Sequence, residues 1–353
     1  MLTAGKEGKT LELSERKQKI LAAAVDLYVA AGEPVGSRAI CETLDFNVSS
    51  ATVRNELSDL GELGLLEQPH TSAGRVPSQK GYRVYIDSLM KKHPMTGEEK
   101  RYIDSLLLPS AYDPDRLLDG VARVLAGLTR YAAVSTTPSG EAAVVRAVQF
   151  VQTSRRTAMV VLMTSAGTMK SRVFHCDFDI TPEILRIFFR VLNEKLVGKP
   201  VRSVTPAYIQ SLAASLGEMA MLMSSALMAV ADVAQDSVQS EICLDGEINL
   251  LFYPEFAQGG IRRIFDFLSR PAELCRLLLQ QDGEIRVMIG DETNRPELAD
   301  SSVIVSRYAV GGQDAGAIAI IGPMRMNYAK IISSIEYLSG SVGRMLTELM
   351  DTE

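Results

Sequence analysis

The sequence predicts an α+β protein that opens with a winged helix-turn-helix, and three observations predict it. Residues 14–91 carry three short amphipathic helical patterns, then two brief strand patterns, then a fourth helix. Beyond residue 100, strand patterns give way to a helix-rich stretch and then return, which suggests an α+β domain interrupted by a helical insertion. From the end of the first brief strand runs "QPHTSAGRVPSQKGYR" (68–83), an acid-free stretch whose loop part, ahead of the return strand, is small, hydroxylated and basic.

Ser14 suits a helix N-cap, and Ile20, Ala24, Leu27 and Ala31 share one face of the helix that follows. Gly32 is a natural stop, and Pro34 prevents continuation. A second short helix is predicted from about Ser37 to Leu44, and Asp45–Asn47 is turn chemistry. Ser49 or Ser50 then caps a third helix to about Leu63, with Val53, Leu57 and Leu60 as its inward stripe. "LLEQP" (65–69) reads as a strand, Val76 and Pro77 as its return, and Ser78–Lys91 as a helix. Lys91–Lys100 is the expected linker.

Further along, helices are expected at about 98–108 and 114–131, and strands at about 142–152, 157–164 and 168–176. The segments Thr181–Leu196, Pro206–Ala234 and Ile248–Gln281 look mainly helical, with one strand near Gln239–Leu244. Strands at about 284–290, 302–309 and 315–322 precede a helix from Asn327 to about Met350. The division expected from this order is 1–92 for the winged helix. Residues 93–180 and 283–353 then form two segments of the α+β domain, and 181–282 form the insertion. A chain of 353 residues has room for two or three domains.

Charge limits the modes of binding. The formal net charge of −6 argues against a nucleic-acid binder that works through bulk positive charge. Residues 1–92 are neutral, with 12 basic and 12 acidic side chains. Within His70–Lys92, however, Arg75, Lys80, Arg83, Lys91 and Lys92 face a single acid, Asp87. Cys41, Cys176, Cys243 and Cys275 are scattered without a CxxC pair, as expected of reduced thiols in a cytosolic protein. The polar N-terminus lacks the apolar core of a signal peptide. The apolar stretch Leu212–Ala234 contains Glu218 and Asp232 and is rich in Ala and Ser, so a buried or interface helix suits it better than a membrane span. Its Met219–Met228 portion could serve a protein contact or simply the core.

The third helix has the equipment to read a major groove. Ser49, Ser50, Thr52, Arg54 and Asn55 crowd its first turns, where Arg can grip guanine O6/N7 and Asn can pair with adenine N6/N7. Hydroxyls and backbone N–H groups at a helix start also hold phosphate. The alternative is an ordinary solvated polar helix. In the loop, His70, Thr71, Ser72, Gly74 and Arg75 give close approach and donors for the DNA backbone, although the same residues would serve a plain hairpin. Lys80 and Arg83 are candidates to extend the contact, as are Ser37 and Arg38 on the second helix.

Metal and catalytic readings fare poorly. The three histidines have no ligand spacing with Cys or carboxylate. No GxSxG, Walker A or GxGxxG stretch occurs, and no cofactor is implied. "GGQDAG" (311–316) reads as a hairpin, and "EINLLFYPEF" (247–256) as a cap over a core.

Three stretches, "GEPVGSRAI" (32–40), "VSSATVRNELSDLGELGLLEQPHTSAGRVPSQKGYRVYID" (48–87) and "IGPMRMNYAKIISSIEYLS" (321–339), resemble the HrcA family of bacterial heat-inducible transcription repressors. "LLFYPEF" (250–256) also fits. The N-terminal match is continuous, whereas the middle of the chain matches loosely. The resemblance implies a cytoplasmic homodimer in which a GAF-like domain is interrupted by an inserted dimerisation domain. It further implies binding to double-stranded DNA at an inverted repeat, the CIRCE operator, before chaperonin operons, with a GroE-type chaperonin keeping the repressor active. Ser37, Arg38, Ser49, Ser50, Thr52, Arg54, Asn55, His70, Thr71, Ser72, Arg75, Lys80 and Arg83 are then the expected DNA contacts. A metabolite-responsive repressor with a small effector in the GAF-like domain is the alternative.

Overall fold

The computed structural model describes residues 13–70, 73–140, 143–257, 259–280 and 283–351. The N-terminal unit comprises α1 (Glu15–Ala31), α2 (Ser37–Thr43), α3 (Ser50–Glu62), β1 (Leu66–Glu67), β2 (Val76–Pro77) and α4 (Gln79–Val84). The last of these runs on as a wider, π-type turn over Tyr85–Leu89. Ser14 caps α1 by accepting from Lys17 N, and Gly32 ends it in the left-handed region at φ 73°. The α1 face that enters the core is Ile20, Leu21, Ala24 and Val25. Leu27 is half-buried and Ala31 exposed, so the expected stripe is displaced by about one residue at its C-terminal end. Val53, Leu57 and Leu60 of α3 are buried as expected.

The helices α5 (Gly97–Leu107) and α6 (Pro114–Thr129) lead into β3 (Ala132–Thr136). A second unit follows: β4 (Val145–Gln152), β5 (Thr157–Thr164), β6 (Met169–His175), α7 (Pro182–Leu196), α8 (Pro206–Leu216) and α9 (Met219–Val238). The chain returns through β7 (Ile242–Asp245), α10 (Gly260–Leu268), α11 (Pro271–Leu279), β8 (Ile285–Ile289), β9 (Ser301–Val310), β10 (Gln313–Pro323) and α12 (Tyr328–Asp351).

Two sheets larger than the β1–β2 hairpin result. An antiparallel sheet in the order β7-β3-β10-β9-β8 forms the main body. The period-two alternation of a strand sends Ile304, Ile318 and Ile320 to the core shared with α6 and α12. Val303, Val305, Ala317, Ala319 and Ile321 go to the opposite core beneath α10 and α11. The other sheet, β4-β5-β6, has its own core with α7, α8 and α9.

This grouping differs from the division expected at 181 and 282. The strands at 145–175 pair only with each other and pack on the helices that follow them, while residues 242–279 return to the main body. The second unit leaves and re-enters the main sheet at one place. There Thr136 pairs with Ile242, and Thr137 N donates to Glu241 O at 2.8 Å. Strand pattern alone carries no information about which sheet a strand joins, because pairing is non-local.

The N-terminal core is continuous with the α6/α12 side of the main body. Tyr82 on α4 and Tyr328 on α12 sit with ring centroids 5.9 Å apart, both essentially inaccessible. Burial pushes both phenols well above their ordinary ionisation range, so they stay neutral packing groups.

Candidate nucleic-acid interface

The sequence places Ser49 just before a helix-compatible run, and its side chain accepts from Thr52 N at 3.0 Å as the α3 N-cap. The same hydroxyl lies 2.8 Å from Thr52 Oγ1. Ser50, the first residue of α3, is 2.8 Å from Ser37 Oγ at the start of α2. These hydroxyls bring two helix N-termini side by side, and the positive ends of both dipoles favour an anion there.

Outward from that point, Ala51, Arg54, Asn55 and Ser58 are exposed on α3, and Arg38 is exposed on α2. Glu56 lies on the opposite side of α3 and is buried. Two cations from α1 neutralise it: Arg16 Nε donates at 2.7 Å, and Lys17 Nζ stands 3.8 Å away. Lys17 also pairs with Asp59 at 2.9 Å, a hydrogen bond that raises the ammonium above its ordinary range. The outward surface of the first two turns of α3 is therefore free of acids, and the one at position 56 is spent inside the domain.

Ion pairing sorts the cations of this unit. Arg16, Lys17, Lys19 and Arg83 each pair with a carboxylate. Arg38, Arg54, Arg75 and Lys80 pair with none among the described residues. The paired cations lie on α1 and on the side of α4 that meets the main body. The unpaired ones lie on α2, α3, the wing and the end of α4 beside α3.

The wing is anchored by its own backbone. Arg75 and Val35 exchange two hydrogen bonds, Val35 N to Arg75 O at 2.8 Å and Arg75 N to Val35 O at 2.9 Å. Gly74 permits this approach, since a Cβ there would stand 2.5 Å from Val35 O. His70 is exposed and its carbonyl accepts from Ala73 N at 2.9 Å, closing the turn. Thr71 and Ser72 lie outside the described residues. Arg75 is not at the tip: its half-buried guanidinium lies against Gly61, near the C-terminal end of α3. Lys80 donates to Leu63 O at 3.0 Å and remains exposed.

Arg83 does not join this group. Its guanidinium contacts Glu292, bonds Asp87 at 3.2 Å and donates to Val287 O at 2.8 Å, facing the main body. Its place in a basic run suggests DNA; Glu292 and the Val287 carbonyl hold it the other way. Reasoning from sequence also passed over Gln79, which donates to Ile289 O at 2.7 Å. The signal available was the four-residue spacing of Gln79 and Arg83 on one helix face.

Among the described residues, no group of three or more His, Cys, Asp or Glu side chains is arranged to hold a metal. No helix of the described residues is long and apolar enough to cross a membrane.

Comparison with known proteins agrees with this geometry. Residues 12–89 match the family model described as winged helix-turn-helix transcription repressor, HrcA DNA-binding. Residues 115–332 match that of the HrcA protein C terminal domain. The heat-inducible transcription repressor HrcA of Acetivibrio thermocellus is 36% identical over 344 residues, covering 96% of this chain and 97% of the relative. That of Carboxydothermus hydrogenoformans is 35% identical, covering 93% and 96%. A crystal structure of a hypothetical protein superposes with a TM-score of 0.68 at 23% identity, over 96% of this chain and 100% of that one, which shows a shared fold.

Proposed function

Because the chain belongs to the HrcA family of heat-inducible transcription repressors, we propose that it represses chaperonin operons by binding a CIRCE-type inverted repeat as a homodimer. In this reading a GroE-type chaperonin maintains the active form. The observation that carries the DNA contact is the sorting of cations, which leaves Arg38 and Arg54 unneutralised beside the acid-free first turns of α3, and Arg75 and Lys80 unneutralised near its C-terminal end. Ser37, Ser49, Ser50, Thr52 and Asn55 complete the α2–α3 part of that surface. His70 belongs to its wing.

Arg54 and Asn55 reach base edges, whereas the hydroxyls and Arg75 contact phosphate. Replacing Arg75 by alanine is expected to weaken binding to every duplex alike. The slope of log affinity against log salt should fall by about one unit, since one phosphate contact disappears. Fluorescence anisotropy at several salt concentrations measures this.

We assign the five-stranded sheet with its flanking helices as the GAF-like domain, and residues 138–240 as the inserted dimerisation domain. On the inserted unit, α9 exposes Met221 at 82%, Leu222 at 51% and Met228 at 69%, and α7 exposes Ile187 and Phe189. Exposed apolar side chains of this kind suit a second copy, and methionine adapts well to such contacts. The double replacement Met221→Glu and Met228→Glu is expected to convert the dimer to monomer with unchanged secondary structure. Sedimentation and circular dichroism read the two outcomes.

The experiment that tests the function is titration of the purified protein, with chaperonin present, against the inverted repeat and a scrambled duplex at several salt concentrations. Tighter binding to the repeat at every salt concentration is expected. Equal affinity for both duplexes would sink the proposal.

A further inference from the structure

We propose that Gln79 and Arg83 of α4 are positioning residues: they fix the recognition helix relative to the main body and thereby set the spacer length accepted between half-sites. This rests on the homodimer and inverted-repeat reading above.

β8 is a terminal strand of the five-stranded sheet, so one edge of its backbone has no neighbouring strand. Two α4 side chains occupy that edge. Gln79 Nε2 donates to Ile289 O at 2.7 Å, and Arg83 Nη2 donates to Val287 O at 2.8 Å. The match is one of pitch. Four residues of α-helix rise about 6 Å, and two residues of strand about 6.8 Å, so donors at i and i+4 meet alternate carbonyls in register.

The end of the strand is shaped around the same two side chains. Glu292 accepts from Arg83 Nε at 3.0 Å and from Ile289 N at 3.0 Å. Gly290 has φ 51°, and a Cβ there would stand 2.8 Å from Gln79 Oε1 and 2.9 Å from Ala299 O. No side chain fits between Gln79 and the strand. On the same helix, Tyr82 is buried against Tyr328.

The other side chains of α4 and its cap hold the recognition helix. Ser78 Oγ donates to Gly64 O at 2.6 Å, and Lys80 Nζ to Leu63 O at 3.0 Å, both just past the end of α3. Residues 78 and 80 thus grip α3 while 79 and 83 grip β8. One link from recognition helix to body, beside the shared core, runs through this short, doubly tethered helix. In a dimer joined through its inserted units, the orientation of each α3 on its main body, which this link helps to fix, sets the separation and rotational phase of the two α3 helices. Each base pair added to a spacer moves a half-site by about 3.4 Å and rotates it about the duplex axis, so a rigid link accepts few spacers.

The test uses the full-length protein and a series of inverted repeats whose spacer changes one base pair at a time, together with a lone half-site. The wild type is expected to prefer one spacer and to bind those two or more base pairs away about 10-fold more weakly. Arg83→Ala and Gln79→Ala should each reduce that preference to about 3-fold or less, with affinity for the lone half-site within about 2-fold of wild type. Arg83→Lys, which keeps the charge beside Glu292 and loses the fork, should fall between. A purely stabilising role would lower all affinities together and leave the spacer preference intact, and that result in both alanine variants overturns the proposal. If the wild type binds every spacer and the lone half-site alike, the dimeric reading fails first and the proposal with it. Should Arg83→Ala not fold, Gln79→Ala, which leaves every ion pair in place, decides alone.

Discussion

Arg54→Ala is expected to lower affinity for the inverted repeat by about 10- to 100-fold per half-site while leaving affinity for a scrambled duplex nearly unchanged. The side chain is exposed on the second turn of α3 and has no carboxylate partner among the described residues. It loses no internal contact on reaching DNA, so its whole capacity is available to a base. A bidentate Arg–guanine pair discriminates by about 1–3 kcal/mol, which sets the range. Arg54→Lys separates charge from geometry: an ammonium preserves the attraction for phosphate and cannot form the fork. It should retain the non-specific affinity and lose most of the discrimination. Equal loss on both duplexes would reassign Arg54 to the phosphate backbone.

Gly81→Ala is expected to unfold the N-terminal unit, with a cost of more than about 3 kcal/mol. A Cβ at Gly81 would stand 2.1 Å from Leu65 O, a backbone atom that cannot rotate aside. That carbonyl already accepts from Ser78 N at 3.1 Å, so moving it breaks the start of α4. Overpacking in a rigid contact typically costs 1–3 kcal/mol, and here the obstacle is main chain on both sides. Denaturant unfolding of full-length protein should show an early transition for the N-terminal unit, and operator binding should vanish. A variant that melts like wild type and still binds would mean that α4 does not press on the main chain at Leu65 in this way.

Much of the DNA-binding unit was legible in the sequence because its signals are local. Ser14 and Ser49 are capping residues immediately before helical stripes, and the structure uses both as caps. The loop at 68–75 is read from glycine, hydroxyl and acid-free composition, and its Gly74 is demanded by backbone contact with Val35. Arg54 and Asn55 follow from the phase of a helix whose inward residues are plain.

What the sequence did not disclose depends on contacts far along the chain. Arg83 belongs to the same basic run as Arg75 and Lys80, and only the position of Glu292, 209 residues away, turns it toward the body. Glu56 reads as an acid toward the C-terminal end of α3, away from the groove, and only Arg16 and Lys17 on α1 reveal it as an internal partner. The strands at 145–175 carry ordinary alternation, and nothing in it says that they pair among themselves rather than with the strands at 301–323. Helical phase and capping are short-range properties; sheet membership and ion pairing between elements are not.

The most direct test of the claim that α3 reads the operator is a scan of the inverted repeat with 7-deazaguanine, which removes the N7 acceptor from one guanine at a time. Binding of the wild type and of Arg54→Ala is measured on each modified duplex. One guanine per half-site is expected at which the wild type loses about 10-fold and Arg54→Ala loses nothing further. If Arg54→Ala is as sensitive as the wild type at every guanine, Arg54 does not read a base, and the assignment of α3 as the recognition helix is contradicted.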